Sequence, residues 1–150
     1  MTIKQYLFNL ERLYNRRENR YEKYMQLSAR AISPGSSLNL DGTPRTKRTD
    51  NNREKILVEA GAALENFFKA CDEYNDAMNE FDEVIEMLPF TEKLILYFIY
   101  IENRGKPYEN RYSGICRATD LKRSQIPAKE KEAEKHLTEI LRSRGVMIEE

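Results

Sequence analysis

The sequence predicts an all-α protein that consists of a long antiparallel helical hairpin, residues 1–88, and a small C-terminal helical bundle, residues 89–150. Three observations lead to this prediction. Most of the six Gly and five Pro cluster between segments whose apolar residues recur at steps of three and four, the period of a helix. Residues 57–88 keep this period without interruption. They also hold nine acidic residues and one Lys, whereas residues 1–50 hold ten basic and five acidic residues, so the two segments attract each other.

The first helix begins at the N-terminus and ends near Ile32, where a Ser-Pro-Gly run follows. Thr2 and Gln5 have the spacing of a capping box, which makes Thr2 the expected N-cap. The helix carries one stripe that is apolar except at an arginine: Ile3, Leu7, Leu10, Tyr14, Arg17, Tyr21 and Tyr24. We interpret the tyrosines of this stripe as buried contacts; stacking on nucleic-acid bases is the less favoured alternative.

Residues 33–50 have no hydrophobic period and are rich in turn-forming residues, which predicts a mobile loop. Its basic residues, Arg45, Lys47 and Arg48, could contact an acidic partner, and a solvated linker is the simpler interpretation.

The second helix is expected to open at Asn51, with Glu54 completing a capping box, and to end at Pro89. Its apolar residues form the a/d seam of a coiled coil: Leu57, Ala60, Leu64, Phe67, Cys71, Tyr74, Met78, Phe81, Ile85 and Leu88. The pattern does not identify the partner of this seam. The first helix is favoured because its charge is opposite, and a second copy of the chain is the alternative.

The third helix is expected to open at Thr91, with Phe90 and Ile95 at the spacing of a hydrophobic staple. The apolar run 94–101 fits a buried helix or a buried strand, and the helical start signals favour the helix. A turn at 103–107 and a short helix at about 108–118 follow.

The last helix has Ser124 as its expected N-cap and Pro127 in its first turn, where the missing N–H costs nothing. Gly145 is the expected residue after its C-terminus. Its apolar face comprises Ile126, Ala133, Leu137, Ile140 and Leu141.

The order of a buried helix, a Gly-Lys turn, a short helix, a turn and a basic amphipathic helix resembles the helix-turn-helix of sigma-factor region 4. The segments 2–7 (Thr-Ile-Lys-Gln-Tyr-Leu) and 105–109 (Gly-Lys-Pro-Tyr-Glu), with Ile126 and Ala133, resemble the small phage regulators of the DUF1492/ArpU type. The chain departs from that family in a longer segment at 112–118 and in the presence of Pro127.

This resemblance implies a phage-encoded, DNA-binding transcriptional regulator of late genes. Its last helix would enter the major groove, with basic side chains on phosphates. The residues expected to contact duplex DNA are Lys122, Arg123, Gln125, Lys129 and Lys131, with Arg104 and Lys106 on the flanking backbone. The alternative is a non-enzymatic phage effector that binds a host or defence protein through the acidic helical surface or the 33–50 loop. A homo-oligomer is compatible with both.

Enzymatic chemistry and cofactors are not expected. No catalytic constellation or Gly-rich phosphate loop is present, and His136 is the only histidine. With Glu132 and Glu139 on its helix face, His136 is more simply a surface residue than a metal ligand. Cys71 and Cys116 lack ligand spacing and are interpreted as free thiols.

The longest apolar run is too short to cross a bilayer, which needs about 20 residues. We therefore expect a cytoplasmic protein, acting in the host cell.

Overall fold

The computed structural model describes residues 1–32 and 47–149, with the side chains of residues 47–51 left undescribed. Within these residues the protein is all-α and contains no β-strand beyond a single isolated bridge between Thr2 and Glu149. The α-helices are α1 (Ile3–Ile32), α2 (Lys47–Ile85), α3 (Phe90–Tyr97), α4 (Ile115–Ala118) and α5 (Ile126–Ser143). A π-helical turn, Phe98–Glu102, follows α3, and 3-10 turns lie at Tyr108–Asn110 and Arg123–Gln125.

Local signals place both ends of α1 as predicted. The Gln5 N–H donates to Thr2 Oγ1 at 3.2 Å, and the Thr2 N–H donates to Gln5 Oε1 at 2.8 Å, so the capping box is confirmed. Helix α1 ends at Ile32. Helix α2 begins at Lys47, four residues before the predicted start at Asn51. The rest of the predicted mobile loop, residues 33–46 with Arg45, lies outside the described residues.

The chain divides into two compact units. The terminal unit comprises Met1–Leu13 and Asn75–Glu150, and the hairpin unit comprises Tyr14–Tyr74. This division differs from the predicted boundary after residue 88. The reason is that Leu7 of α1 and Phe81 of α2 are buried in the same core as the C-terminal helices.

The core of the terminal unit is built from α3, α5 and the adjoining ends of α1 and α2. The apolar run 94–101 is helical throughout, so the strand alternative is excluded. Ile95, Leu96, Ile99 and Tyr100 are fully buried on it, while Tyr97 is 39% exposed. The predicted apolar face of α5 is buried at four of its five positions, with Ile140 half-buried. Residues without exposed surface in this core are Leu7, Phe81, Val84, Ile95, Leu96, Ile99, Tyr100, Ile115, Ile126, Ala133, Leu137 and Leu141.

In the hairpin unit α1 and α2 pack against each other in antiparallel fashion. The rings of Tyr14 and Tyr74 lie 5.8 Å apart, and those of Tyr21 and Phe67 lie 5.2 Å apart. Farther along, Leu27 packs with alanines of α2 in a small buried cluster. The expected pairing of the second helix with the first is therefore confirmed.

The seam on α2 differs in part from the prediction. Leu57, a predicted seam residue, is 51% exposed, while Ala63 and Ala70 are buried. At two seam positions, Leu64 and Cys71, the buried residue is thus the one before the predicted residue. Small side chains let α1 approach α2 closely on that side, which leaves Leu64 and Cys71 half-exposed on the other.

Three predicted details of the C-terminal region are wrong. The helix expected at 108–118 is interrupted because Gly114 has φ +88°, and α4 is a single turn. Ser124 lies within the 3-10 turn that precedes α5 and is not its N-cap. Phe90 is 71% exposed and is the first residue of α3, so it cannot act as the outer half of a staple.

The other signals at α5 are confirmed. Pro127 lies in its first turn. At its end Gly145 has φ +87° and donates to the Arg142 carbonyl at 3.1 Å, while the Val146 N–H donates to the Leu141 carbonyl at 3.0 Å. This pair of bonds is the Schellman motif, which requires a left-handed residue after the helix.

Candidate nucleic-acid interface

The entrance of α5 is shaped by a local hydrogen bond. The Lys122 backbone N–H donates to Gln125 Oε1 at 2.9 Å and closes the 3-10 turn before the helix. This leaves the side chains of Lys122 and Arg123 exposed. Gln125, predicted as a DNA contact, therefore already uses its carbonyl oxygen within the protein.

Tertiary packing brings Lys106 and Arg123 to one surface depression, which Glu109, Asn110 and Ser113 also line. Lys106 Nζ donates to Asn103 Oδ1 at 2.9 Å, and Arg123 Nη2 lies 3.5 Å from the Glu109 carbonyl oxygen. Two basic residues predicted separately, one on the turn after α3 and one before α5, thus share a site.

The other predicted contacts lie apart from this depression. Lys129 is half-buried and pairs with Glu132 at 3.1 Å. Lys131 is exposed and lines a second depression with Glu134 and Lys135. Arg104 is half-buried and does not line the depression of Lys106.

The turn that carries Lys106 is anchored by buried polar groups that the sequence analysis did not identify. Arg111 donates to Glu11 Oε2 at 2.9 Å through Nη2 and to the Lys106 carbonyl at 2.9 Å through Nε. Glu11 also accepts the Gly105 N–H at 2.9 Å. Buried Asn103 donates to the carbonyls of Arg111 and Ser113 at 2.8 and 3.0 Å.

A second polar cluster joins the first turn of α1 to α5. Lys4 Nζ lies 2.6 Å from Glu134 Oε1 and 3.0 Å from Glu130 Oε1. Glu130 is 4% exposed and also accepts hydrogen bonds from the hydroxyls of Tyr108 and Tyr112, the latter at 2.7 Å. Because a buried carboxylate is costly unless its oxygens are satisfied, these partners fix the position of α5 relative to α1.

The pKa values of this cluster follow from burial and from the close pairs. Burial alone would lower the pKa of Lys4, but the hydrogen bonds to Glu134 and Tyr108 raise it overall. Burial raises the pKa of Tyr100 to about 12 against the opposing effect of Lys4. Burial also raises the pKa of Glu134, again with Lys4 opposing.

One sequence signal could have revealed this cluster. Glu130 lies four residues after Ile126 and three before Ala133, which places it on the apolar face of α5. A carboxylate at such a position needs a buried partner. The identity of that partner, Lys4, could not be read from the pattern because it comes from the other end of the chain.

His136 is half-exposed and contacts a residue other than its expected neighbours Glu132 and Glu139. Its Nδ1 lies 2.8 Å from Oε1 of Glu92, which is 1% exposed. Among the described residues, no group of three or more His, Cys, Asp or Glu side chains is arranged to hold a metal ion. Cys71 is half-buried and Cys116 is exposed, both as free thiols.

None of the helices in the described parts of the chain has both the length and the apolar character needed to cross a membrane. Comparison of the chain with protein-family models, curated proteins and solved structures gives no match.

Proposed function

We propose that this chain is a phage-encoded regulator of transcription that binds duplex DNA through the entrance of α5. The observation that carries the proposal is the meeting of Lys106 and Arg123 at one depression, with Lys122, the residue before Arg123, exposed. Basic side chains grouped at the start of an amphipathic helix are the usual contacts of a recognition helix with the DNA backbone.

The anchoring of α5 supports this role. Its apolar face is buried in the core, and Glu130 and Glu134 tie it to Lys4. A recognition helix must be held rigidly, because the phosphate contacts set its register in the major groove. Lys131, in the second turn of α5, is exposed on the same helix.

The contacts divide by role in this proposal. Lys106, Lys122 and Arg123 bind phosphates, and Lys129 and Lys131 follow the groove along the helix. Gln125 positions the entrance turn, since its carbonyl oxygen is occupied by the Lys122 N–H. Because the chain has a formal net charge of +0, binding depends on this local grouping and weakens steeply with salt.

The resemblance to regulators of the DUF1492/ArpU type favours control of late phage genes in the cytoplasm of the host cell. That part of the proposal depends on the order of the motifs in the sequence.

A second candidate is an effector that binds a basic surface of a host or defence protein through α2. The observation that favours it is a set of exposed carboxylates on α2 without an ion pair among the described residues: Glu65, Asp72, Asp76 and Asp82. By contrast, Glu73 and Glu83 are paired with Arg16 and Arg144.

The test measures binding of the wild type to labelled duplex fragments of the phage genome by fluorescence anisotropy at several salt concentrations. The double variant Lys122→Glu/Arg123→Glu should bind roughly 10–100-fold more weakly, and its salt slope should fall by about two. The matched control is Lys55→Glu/Lys69→Glu, which makes the same charge change on exposed residues of α2 and should bind like the wild type.

Circular dichroism of both variants verifies that folding is unchanged. A wild type that binds no fragment at low salt contradicts the proposal, and co-purification with one basic host protein would then favour the effector. Equal loss of binding in both double variants would show that net charge, and not the entrance of α5, determines affinity.

A further inference from the structure

The two flanks of the hairpin unit differ in chemistry. The polar flank carries Arg16, Arg20, Lys23, Glu59, Asn66 and Glu73. On it Arg16 pairs with Glu73 at 3.0 Å, and Arg20 donates to the Asn66 carbonyl at 3.1 Å. Lys23, Glu59 and Asn66 line one groove between the helices, so both helices contribute to this flank.

The apolar flank lies on the opposite side of the buried seam between α1 and α2. Its residues are spaced three, four or seven positions apart on each helix, so they share one face. It comprises Tyr21, Met25, Leu57, Gly61, Leu64 and Phe68, and none of these is charged. Tyr21, Met25, Leu57 and Phe68 are between 45% and 56% exposed.

Gly61 provides an independent observation at the centre of this flank. A glycine inside a helix costs about 1 kcal/mol relative to alanine. A Cβ added at Gly61 would meet no atom within 4 Å, and Gly61 is not among the glycines with positive φ. The described part of the chain therefore gives no reason for a glycine here, whereas the close approach of a helix from outside would require one.

We propose that the apolar flank is the interface of a twofold-symmetric homodimer, in which the Phe68 ring of each copy packs over Gly61 of the other. In a twofold interface each copy presents both halves of every contact. This flank carries both halves, because the projecting Phe68 ring and the notch at Gly61 lie two turns apart on α2. Four helices then bury a common apolar seam, as in a four-helix bundle.

The size of the flank agrees with a second copy as the occupant. Aromatic side chains bury about 150–250 Å² each, so four large side chains that are half exposed, together with Leu64, offer roughly 500 Å² per copy. Two copies would then bury about 1,000 Å², the lower limit for a specific interface. Of the acidic residues beside the flank, Glu18 is paired with Arg17 at 3.1 Å, whereas Glu65 lies between Gly61 and Phe68 on α2 and would need a counter-charge from the second copy.

The proposal does not depend on DNA binding. Analytical ultracentrifugation of the full chain without DNA should show a dimer whose mass falls to that of a monomer on dilution. Phe68→Gln and Met25→Glu should each weaken dimerisation at least tenfold. Their matched controls are the neighbouring exposed residues on the other side of each helix, Lys69→Gln and Gln26→Glu, and both should dimerise like the wild type.

Gly61→Leu should also give a monomer, because its side chain fills the notch, while the monomer keeps its helicity. A wild type that is monomeric at about 100 µM overturns the proposal. If the wild type is monomeric and Phe68→Gln melts at a lower temperature than Lys69→Gln, another segment of the same chain covers the apolar flank. A dimer that persists in Phe68→Gln and Met25→Glu overturns it as well, because the interface then lies elsewhere.

Discussion

The terminal unit and the hairpin unit are both helical, but different forces hold them together. The terminal unit buries a dozen apolar side chains completely and adds ion pairs in which at least one member is buried. In the hairpin unit the buried cluster comprises one leucine and two alanines, with tyrosine contacts and exposed ion pairs along the rest. Because buried apolar area is the main source of stability, the terminal unit should unfold last and the hairpin unit should open locally first.

The largest expected difference concerns two phenylalanines on α2. Phe81 is fully buried in the terminal unit, so Phe81→Ala should lower the free energy of unfolding by about 3–5 kcal/mol. Phe67 is half-buried in the hairpin unit, and Phe67→Ala should cost about 1 kcal/mol. Urea unfolding followed by circular dichroism measures both values. Equal losses in the two variants would contradict the view that the units differ in packing.

A second comparison sets a buried ion pair against an exposed one. Arg111 and Glu11 are 7% and 15% exposed, and Arg111→Met leaves the Glu11 carboxylate buried without its partner, which should cost about 3 kcal/mol. Arg16 and Glu73 are 36% and 48% exposed, and Arg16→Met should cost about 0.5 kcal/mol or less.

The double variant Glu11→Leu/Arg111→Met is the control for the buried pair. It removes both charges and should recover much of the lost stability, because the penalty comes from the uncompensated carboxylate. If the double variant is no more stable than Arg111→Met, the lost hydrogen bonds to the turn at Lys106 account for the effect instead.

A smaller effect is expected from pH, and it arises in the terminal unit. The pKa of Tyr100 is raised from 10.0 to about 12, so its neutral form stabilises the folded state. This stabilisation is fully present below pH 10 and is lost as the pH rises towards 12. At pH 11 the loss amounts to about 1 kcal/mol, and the raised pKa of Lys4 acts in the same direction.

Unfolding by urea at about pH 9 and about pH 11 measures this change, and Tyr100→Phe should show a smaller loss. Tyrosinate absorbance reports the ionisation directly. A wild type that is equally stable at both pH values would mean that the Tyr100 hydroxyl is not held in its neutral form.

The sequence by itself determined the features that depend on neighbouring residues. The Thr2–Gln5 capping box and the Gly145 cap of α5 are both local, because their hydrogen bonds join residues a few positions apart. Helical period and opposite charge were also enough to pair α2 with α1.

Only the tertiary structure decided which side of that pairing is buried. A heptad pattern does not distinguish Ala63 from Leu64, since either can follow Ala60 in the seam, and the choice depends on how closely α1 can approach. The same holds for the site. The sequence places Lys122 and Arg123 together before the last helix, outside its apolar face, but the meeting of Arg123 with Lys106 could not be predicted. Which distant residues meet, such as Lys4 with Glu130 and Glu11 with Arg111, is decided by packing and cannot be read from the periodic pattern of either segment.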